Sequence, residues 1–352
     1  MVRKYKNRDS NLELLRIFSM LFVLVLHFNG LALPFPTHED LCQGISFSEI
    51  SQMAIESFAL VAVNCFILIS GYFGIKFKLH NLVSLFIQCF FYSVIIYLIF
   101  CFMGWESFRL KDLFYSFLAF SNSPLWFIRA YVGLYLFAPL LNRAVDGLSH
   151  KEYIRVLIIF AIINIYFGWL WKWDINQFGY GISQMLYMYV IGRYLKHYGI
   201  ERIKNVHIKS FWGYIFGSLL FLIWSILLLL YGGNYFDKYV YDYNHPIVVI
   251  SSICLFLWFA TMKIGKEWWI NWIASSVLSV YIIHMNPYVW PELRGWILQS
   301  VENKGAFELF IWVSIVILAV FIACIAIDKL RMLLTNPVEC KIERLLKKVG
   351  LE

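Results

Sequence analysis

Arg16 and His27 lie within one apolar run, Leu12 to Leu33, where hydrocarbon is expected to surround them. A charge at membrane depth costs roughly 2.5–3.5 kcal/mol on insertion scales, so ionisable side chains there face a bundle interior or a polar cavity and mark function by default. Eleven residues of α-helix advance about 16 Å and complete three turns plus roughly 20°. Both side chains therefore project from one face, one above the other. Glu13 precedes Arg16 by three residues, the spacing of a pair that meets on a helix face. Arg16 near a helix end can also snorkel to the interface and act only as an anchor. His27, deep in the run, has no such escape: it either does chemistry or bonds to a neighbouring helix. Arg129, in WFIRAYVGLY, is a second charge in an apolar run and shares a face with Trp126 and Gly133.

The elements that position these residues follow from composition. Hydrophobic types make up 61% of the 352 residues, charged types 15%, and the mean hydropathy is +0.68. These values exclude an ordinary soluble globular domain. Ten apolar runs have the length of membrane helices: 11–33, 52–75, 81–103, 124–142, 153–171, 179–198, 210–231, 246–263, 270–289 and 306–333. The chain is thus expected to be an all-α polytopic integral membrane protein. With the N-terminus inside, 22 of the 30 Lys and Arg residues fall on the cytoplasmic side of this scheme and six outside, with Arg16 and Arg129 inside helices. That bias predicts N-in, C-in topology. The same clustering explains a net charge of +8 without nucleic acid as a partner.

Residues 1–352 read as one membrane domain. The basic start followed by a long apolar run reads as a retained signal anchor. The tail from Glu339 places Ile342, Leu345, Leu346 and Val349 at helical spacing between basic residues, which predicts an amphipathic helix on the cytoplasmic surface over 339–352. Phe108 to Phe120 is too short to span and is expected to lie in the outer interface, or to re-enter as a lid over a central cavity. Seven cysteines without a CxxC pair indicate neither a disulfide framework nor a zinc site. Most of the 14 Trp and 22 Tyr are expected in interfacial belts, with Trp290, Trp296 and the cluster 235–243 as possible sugar contacts.

Four stretches resemble one family in order and spacing: Arg16 and His27 with ten residues between them, FILISGYFG at Phe66–Gly74, SPLWFIRAYVGLYLFAPLLN at Ser123–Asn142, and SSVLSVYIIHMNP at Ser275–Pro287. Together they resemble the acyltransferase family 3 membrane proteins, and the likeness runs over essentially the whole chain. It implies a multi-pass O-acyltransferase of the cell membrane, bacterial in origin. The implied donor is an acyl-CoA, most often acetyl-CoA, reached from the cytoplasm. The implied acceptor is a hydroxyl of an extracytoplasmic polysaccharide or lipid-linked glycan, and no metal is required.

The resemblance makes His27 the catalytic residue, either accepting the proton of the attacking hydroxyl or carrying the acyl group itself. Arg16 would hold the donor's phosphates or pantetheine arm, oriented by Glu13. Arg129, with Trp126, would bind donor phosphate or stabilise the thioester oxyanion. His284, with Tyr281 and Asn286 nearby, would complete a polar cavity with His27 or bind the acceptor, the bland alternative being a capping or interfacial histidine. Ser70 and Gly71 would permit close helix packing, with any donor contact secondary. Family members often carry His just before the Trp of the third stretch, whereas here Pro124 and Leu125 precede Trp126. The alternative from the residues alone is a transporter or flippase using Arg16 and Arg129 as substrate sites, disfavoured because no inverted repeat or paired broken helices are visible.

Overall fold

The computed structural model describes residues 9–44, 46–118, 125–200, 204–231, 240–301 and 305–350. Pro124, the end of the expected interfacial segment and residues 235–239 of the tyrosine cluster lie outside the described residues. The protein is all-helical, with no strand among the described residues. In hydrocarbon every backbone N–H and C=O must be satisfied within the segment, and long apolar runs therefore form helices.

Six described helical stretches are long and apolar enough to cross a membrane: Ser10–Ala32, Phe47–Phe73, Leu79–Phe102, His150–Leu170, Val206–Tyr231 and Phe307–Lys348. The other four apolar runs correspond to Trp126–Val145, to Ile182–Tyr194 continuing as a π-helix through Gly199, to the apolar helix Pro246–Ala260, and to Trp268–Ala274 followed by Val277–His284. In chain order we number α1 (Ser10–Leu26, with a π-helical extension His27–Ala32), α2 (Phe47–Ala59), α3 (Ala62–Phe73), α4 (Leu79–Phe102), α5 (Leu110–Phe117), α6 (Trp126–Val145), α7 (His150–Ala161, π-helical to Leu170), α8 (Ile182–Tyr194), α9 (Val206–Tyr231), α10 (Pro246–Ala260), α11 (Trp268–Ala274), α12 (Val277–His284), α13 (Val289–Val301) and α14 (Ala306–Lys348). The described part of the tail continues α14 without a break.

The central helix is α1, which packs against α2, α3, α10, α11, α12 and α14. Its buried face feeds both main cores: Leu24 and Phe28 pack with Val280 and Ile282, and Leu15 packs with Leu68, Met188 and Phe256. The outward faces of α4, α9 and α14 are apolar, with Ile99, Phe102, Leu220, Ile223, Ile322 and Leu330 exposed, as lipid contact requires.

Helix ends are set by local chemistry. Ser46 with Glu49, and Ser149 with Glu152, form capping boxes at α2 and α7. The His245 imidazole accepts from the Ile247 amide at 3.2 Å, and Pro246 occupies the first turn of α10, where its missing N–H costs nothing. Gly71 in α3 faces α8 so closely that a methyl group there would overlap the Tyr189 carbonyl. Gly192 meets the Leu68 carbonyl in the same way. Small residues let two helix backbones approach, which is how membrane helices gain packing energy.

Candidate active site

His27 stands where α1 changes from α- to π-helix, a register shift that often marks functional positions. The altered turn is held from outside. Asn29 donates through Nδ2 to the Glu56 carboxylate at 2.8 Å and to the Gln52 carbonyl at 3.0 Å, while Gln52 Nε2 donates to the Asn29 carbonyl at 2.8 Å. Glu56 and Gln52 on α2 thus fix the turn that presents the imidazole.

His27 Nδ1 lies 2.8 Å from His284 Nε2, and His284 Nδ1 bonds to the Val280 carbonyl. A carbonyl can only accept, so the proton of neutral His284 sits on Nδ1 and its Nε2 carries a lone pair. That lone pair takes the Nδ1 proton of neutral His27, which leaves His27 Nε2 as an unprotonated base. The tautomers follow from the hydrogen-bond chain. His284 is 1% exposed and His27 partly exposed, so His284 is the buried orienter and His27 the more accessible ring. Tyr281 and Trp290 wall the pair, with ring centroids 6.3 and 6.1 Å from His27.

Arg16 lies toward the other end of α1. Its Nη1 donates to both Glu13 oxygens, at 3.0 and 3.2 Å. Glu13 is buried, whereas the Arg16 side chain is 25% exposed. The pair is therefore a fixed carboxylate aiming a guanidinium with donors still available for an anion.

Trp126 packs at the head of α6 against Tyr180 and Tyr243, at 4.6 and 5.8 Å between centroids. The next residue, Phe127, reaches the Tyr281 ring at 6.1 Å, linking this aromatic group to the histidine pair. Asn64 holds the Tyr243 carbonyl through Nδ2 at 2.9 Å. Arg129 is exposed and makes no ion pair among the described residues. Ser70 Oγ donates to the Phe66 carbonyl at 2.9 Å within its own helix, so its hydroxyl proton is committed locally. The structure thus brings together His27, His284 and Tyr281 in one group and Glu13 and Arg16 in a second. Ser70 stands apart from both.

Two buried acidic residues were not singled out from the sequence. Glu56 supports the π turn. Asp328, 0% exposed in α14, accepts at Oδ1 from Tyr92 at 2.7 Å, from Arg331 Nε at 2.7 Å and from Ser279. Both lie in apolar runs, and the intramembrane-charge rule that found Arg16 would have found them.

The acyltransferase family 3 model, described as an acyltransferase domain, matches residues 9–329. Comparison with curated proteins and with solved structures found no match. A family match over nearly the whole chain, on a multi-pass helical bundle with a base-competent histidine in its central helix, identifies the chain as a member of acyltransferase family 3, an acyltransferase.

Proposed function

We propose that the protein is an O-acyltransferase of the bacterial cytoplasmic membrane that moves an acyl group, acetyl in the first instance, from cytoplasmic acyl-CoA to a hydroxyl of an extracytoplasmic glycan. The bundle crosses ten times with both termini inside, which puts Arg16 at the donor's entrance and His27 toward the acceptor. The observation that carries this reading is the His27–His284 pair, whose hydrogen-bond chain leaves a lone pair on His27 Nε2. At that atom the acceptor's hydroxyl proton is taken up as its oxygen attacks the thioester carbonyl. The resulting imidazolium then returns the proton to the leaving thiolate. Arg16 holds the donor's anionic or amide groups about 16 Å away along α1, and the pantetheine arm of the donor bridges that distance. Arg129, exposed near the head of α6, is available to the thioester oxygen or a donor phosphate.

The test uses membranes containing the full chain, labelled acetyl-CoA and envelope polysaccharide. His27→Ala should assemble normally and lose transfer of label to the glycan. Retained transfer removes His27 from the mechanism, and label that crosses without an acceptor favours a transporter.

A further inference from the structure

A cavity of about 230 Å³ opens between α4, α5 and the turn that follows α12. Ser93, Asp112, Tyr115, Asn286 and Tyr288 contribute its polar and aromatic lining. Asn286 is 4% exposed. Its Oδ1 accepts from the Tyr288 amide at 3.0 Å, while its Nδ2 has no hydrogen bond among the described residues. The Ser93 hydroxyl and the Asp112 carboxylate are likewise uncommitted among the described residues. The amide donor is therefore open to the cavity, where a ligand acceptor can replace water on it.

The lining specifies that ligand. A carboxylate and an amide lining one cavity can take the donor and acceptor sides of sugar hydroxyls, and the Tyr115 and Tyr288 rings offer faces for C–H surfaces. Asp112 repels phosphate and carboxylate. The space of about 230 Å³ equals about eight waters at roughly 30 Å³ each, enough for one six-membered sugar ring. The wall of the cavity is also the wall of the catalytic group: the Asn286 carbonyl accepts from the Trp290 amide at 2.9 Å, and the Trp290 ring stands beside His27.

We propose that this cavity is an acceptor subsite for a neutral sugar ring, adjoining the ring that is acylated, with Asp112 and Asn286 as its hydrogen-bonding residues. The proposal rests on the acyltransferase reading above and assigns α5 the role of closing the subsite.

The full chain in lipid nanodiscs, without acyl donor, is titrated with methyl α-glucoside and methyl α-galactoside by saturation-transfer NMR, with choline as competitor. At least one glycoside should bind. Its dissociation constant should rise about tenfold or more in Asp112→Ala and in Asn286→Ala, as loss of a hydrogen bond at this kind of site predicts. Choline should not displace it. Absence of glycoside binding, unchanged binding in both variants, or displacement by choline, which would mark an ammonium site, overturns the proposal. Should Asn286→Ala fail to fold, Asp112→Ala, whose side chain is part-exposed, carries the test. Glycoside binding without any acyl transfer from labelled acetyl-CoA would sink the proposed reaction alone, whereas transfer without glycoside binding would sink the subsite alone.

Discussion

At the scale of the residue, the decisive feature is a fixed tautomer. His284 does not touch the reacting atoms in the proposed chemistry. It positions His27 by accepting the Nδ1 proton and holding the lone pair at Nε2. His284→Leu should lower kcat by about 10²-fold or more, the range of a general base, and should displace the pH–rate profile. His284→Gln, whose amide oxygen can still accept from His27, should recover part of the loss. Equal effects of the two substitutions would show that His284 only fills space. A second residue-scale expectation concerns acid stability. Burial, with Lys172 nearby, pushes the His245 imidazole from 6.5 down to about 3. Between those values the unfolded chain binds a proton that the folded chain refuses, so stability falls as pH drops through that window. Asp242 acts oppositely: burial raises its carboxyl from 3.8 to about 6 against the ion pair with Lys172, so protonation below pH 6 favours the folded chain. Thermal melts from pH 7 to 4 should therefore show a flatter decline in His245→Asn and a steeper one in Asp242→Asn.

At the scale of the element, two contacts set the geometry that α1 requires. The α3–α8 seam brings Gly71 and Gly192 against opposing carbonyls, with no room for a methyl group. Gly71→Ala should destabilise by about 1–3 kcal/mol, the usual cost of overpacking, read as a lower midpoint in detergent melts with reduced activity. The other contact ties α14 to the catalytic group. Asp328 accepts from Ser279, whose neighbour Val280 supplies the carbonyl that orients His284. Gln88 of α4 donates to the same Ser279 hydroxyl, and Arg331 extends the network to Thr335 at 2.9 Å. Removing one partner of a buried ion pair costs about 3–5 kcal/mol because the other charge is left uncompensated. Asp328→Ala should therefore melt earlier than Asp328→Ala combined with Arg331→Met, and a double variant no more stable than the single would discount the ion pair.

At the scale of the whole molecule, the expected function depends on direction across the membrane. The Lys and Arg bias predicts cytoplasmic termini. Reporters fused before α1 and after α14 should both be cytoplasmic, while a cysteine introduced at Glu106, between α4 and α5, should react with an impermeant reagent from outside. The opposite labelling would put Arg16 at the wrong surface for a CoA thioester. The mutational signature follows the same axis: Arg16→Gln should raise KM for acyl-CoA, whereas His27→Ala should remove kcat.

Much of this architecture is legible in the chain because hydrocarbon permits few alternatives. An apolar run of twenty residues must satisfy its own backbone, so helical segments and their approximate bounds follow from hydropathy, and a charge inside one stands out. Arg16, His27 and the family itself came from such local signals, and the i to i+3 spacing of Glu13 and Arg16 foretold their contact. The pairing of His27 with His284 joins residues 257 positions apart, and no local pattern encodes which face of α12 meets α1. The π turn at His27, the Glu56 and Asp328 networks and the cavity beneath α5 arise in the same way, from how separate helices pack. Which residues are costly in a membrane follows from the order of apolar and charged types along the chain. Which of them meet, and therefore which ring nitrogen of His27 is left free, is set by helix packing, because hydrogen-bond partners from other helices select the tautomer.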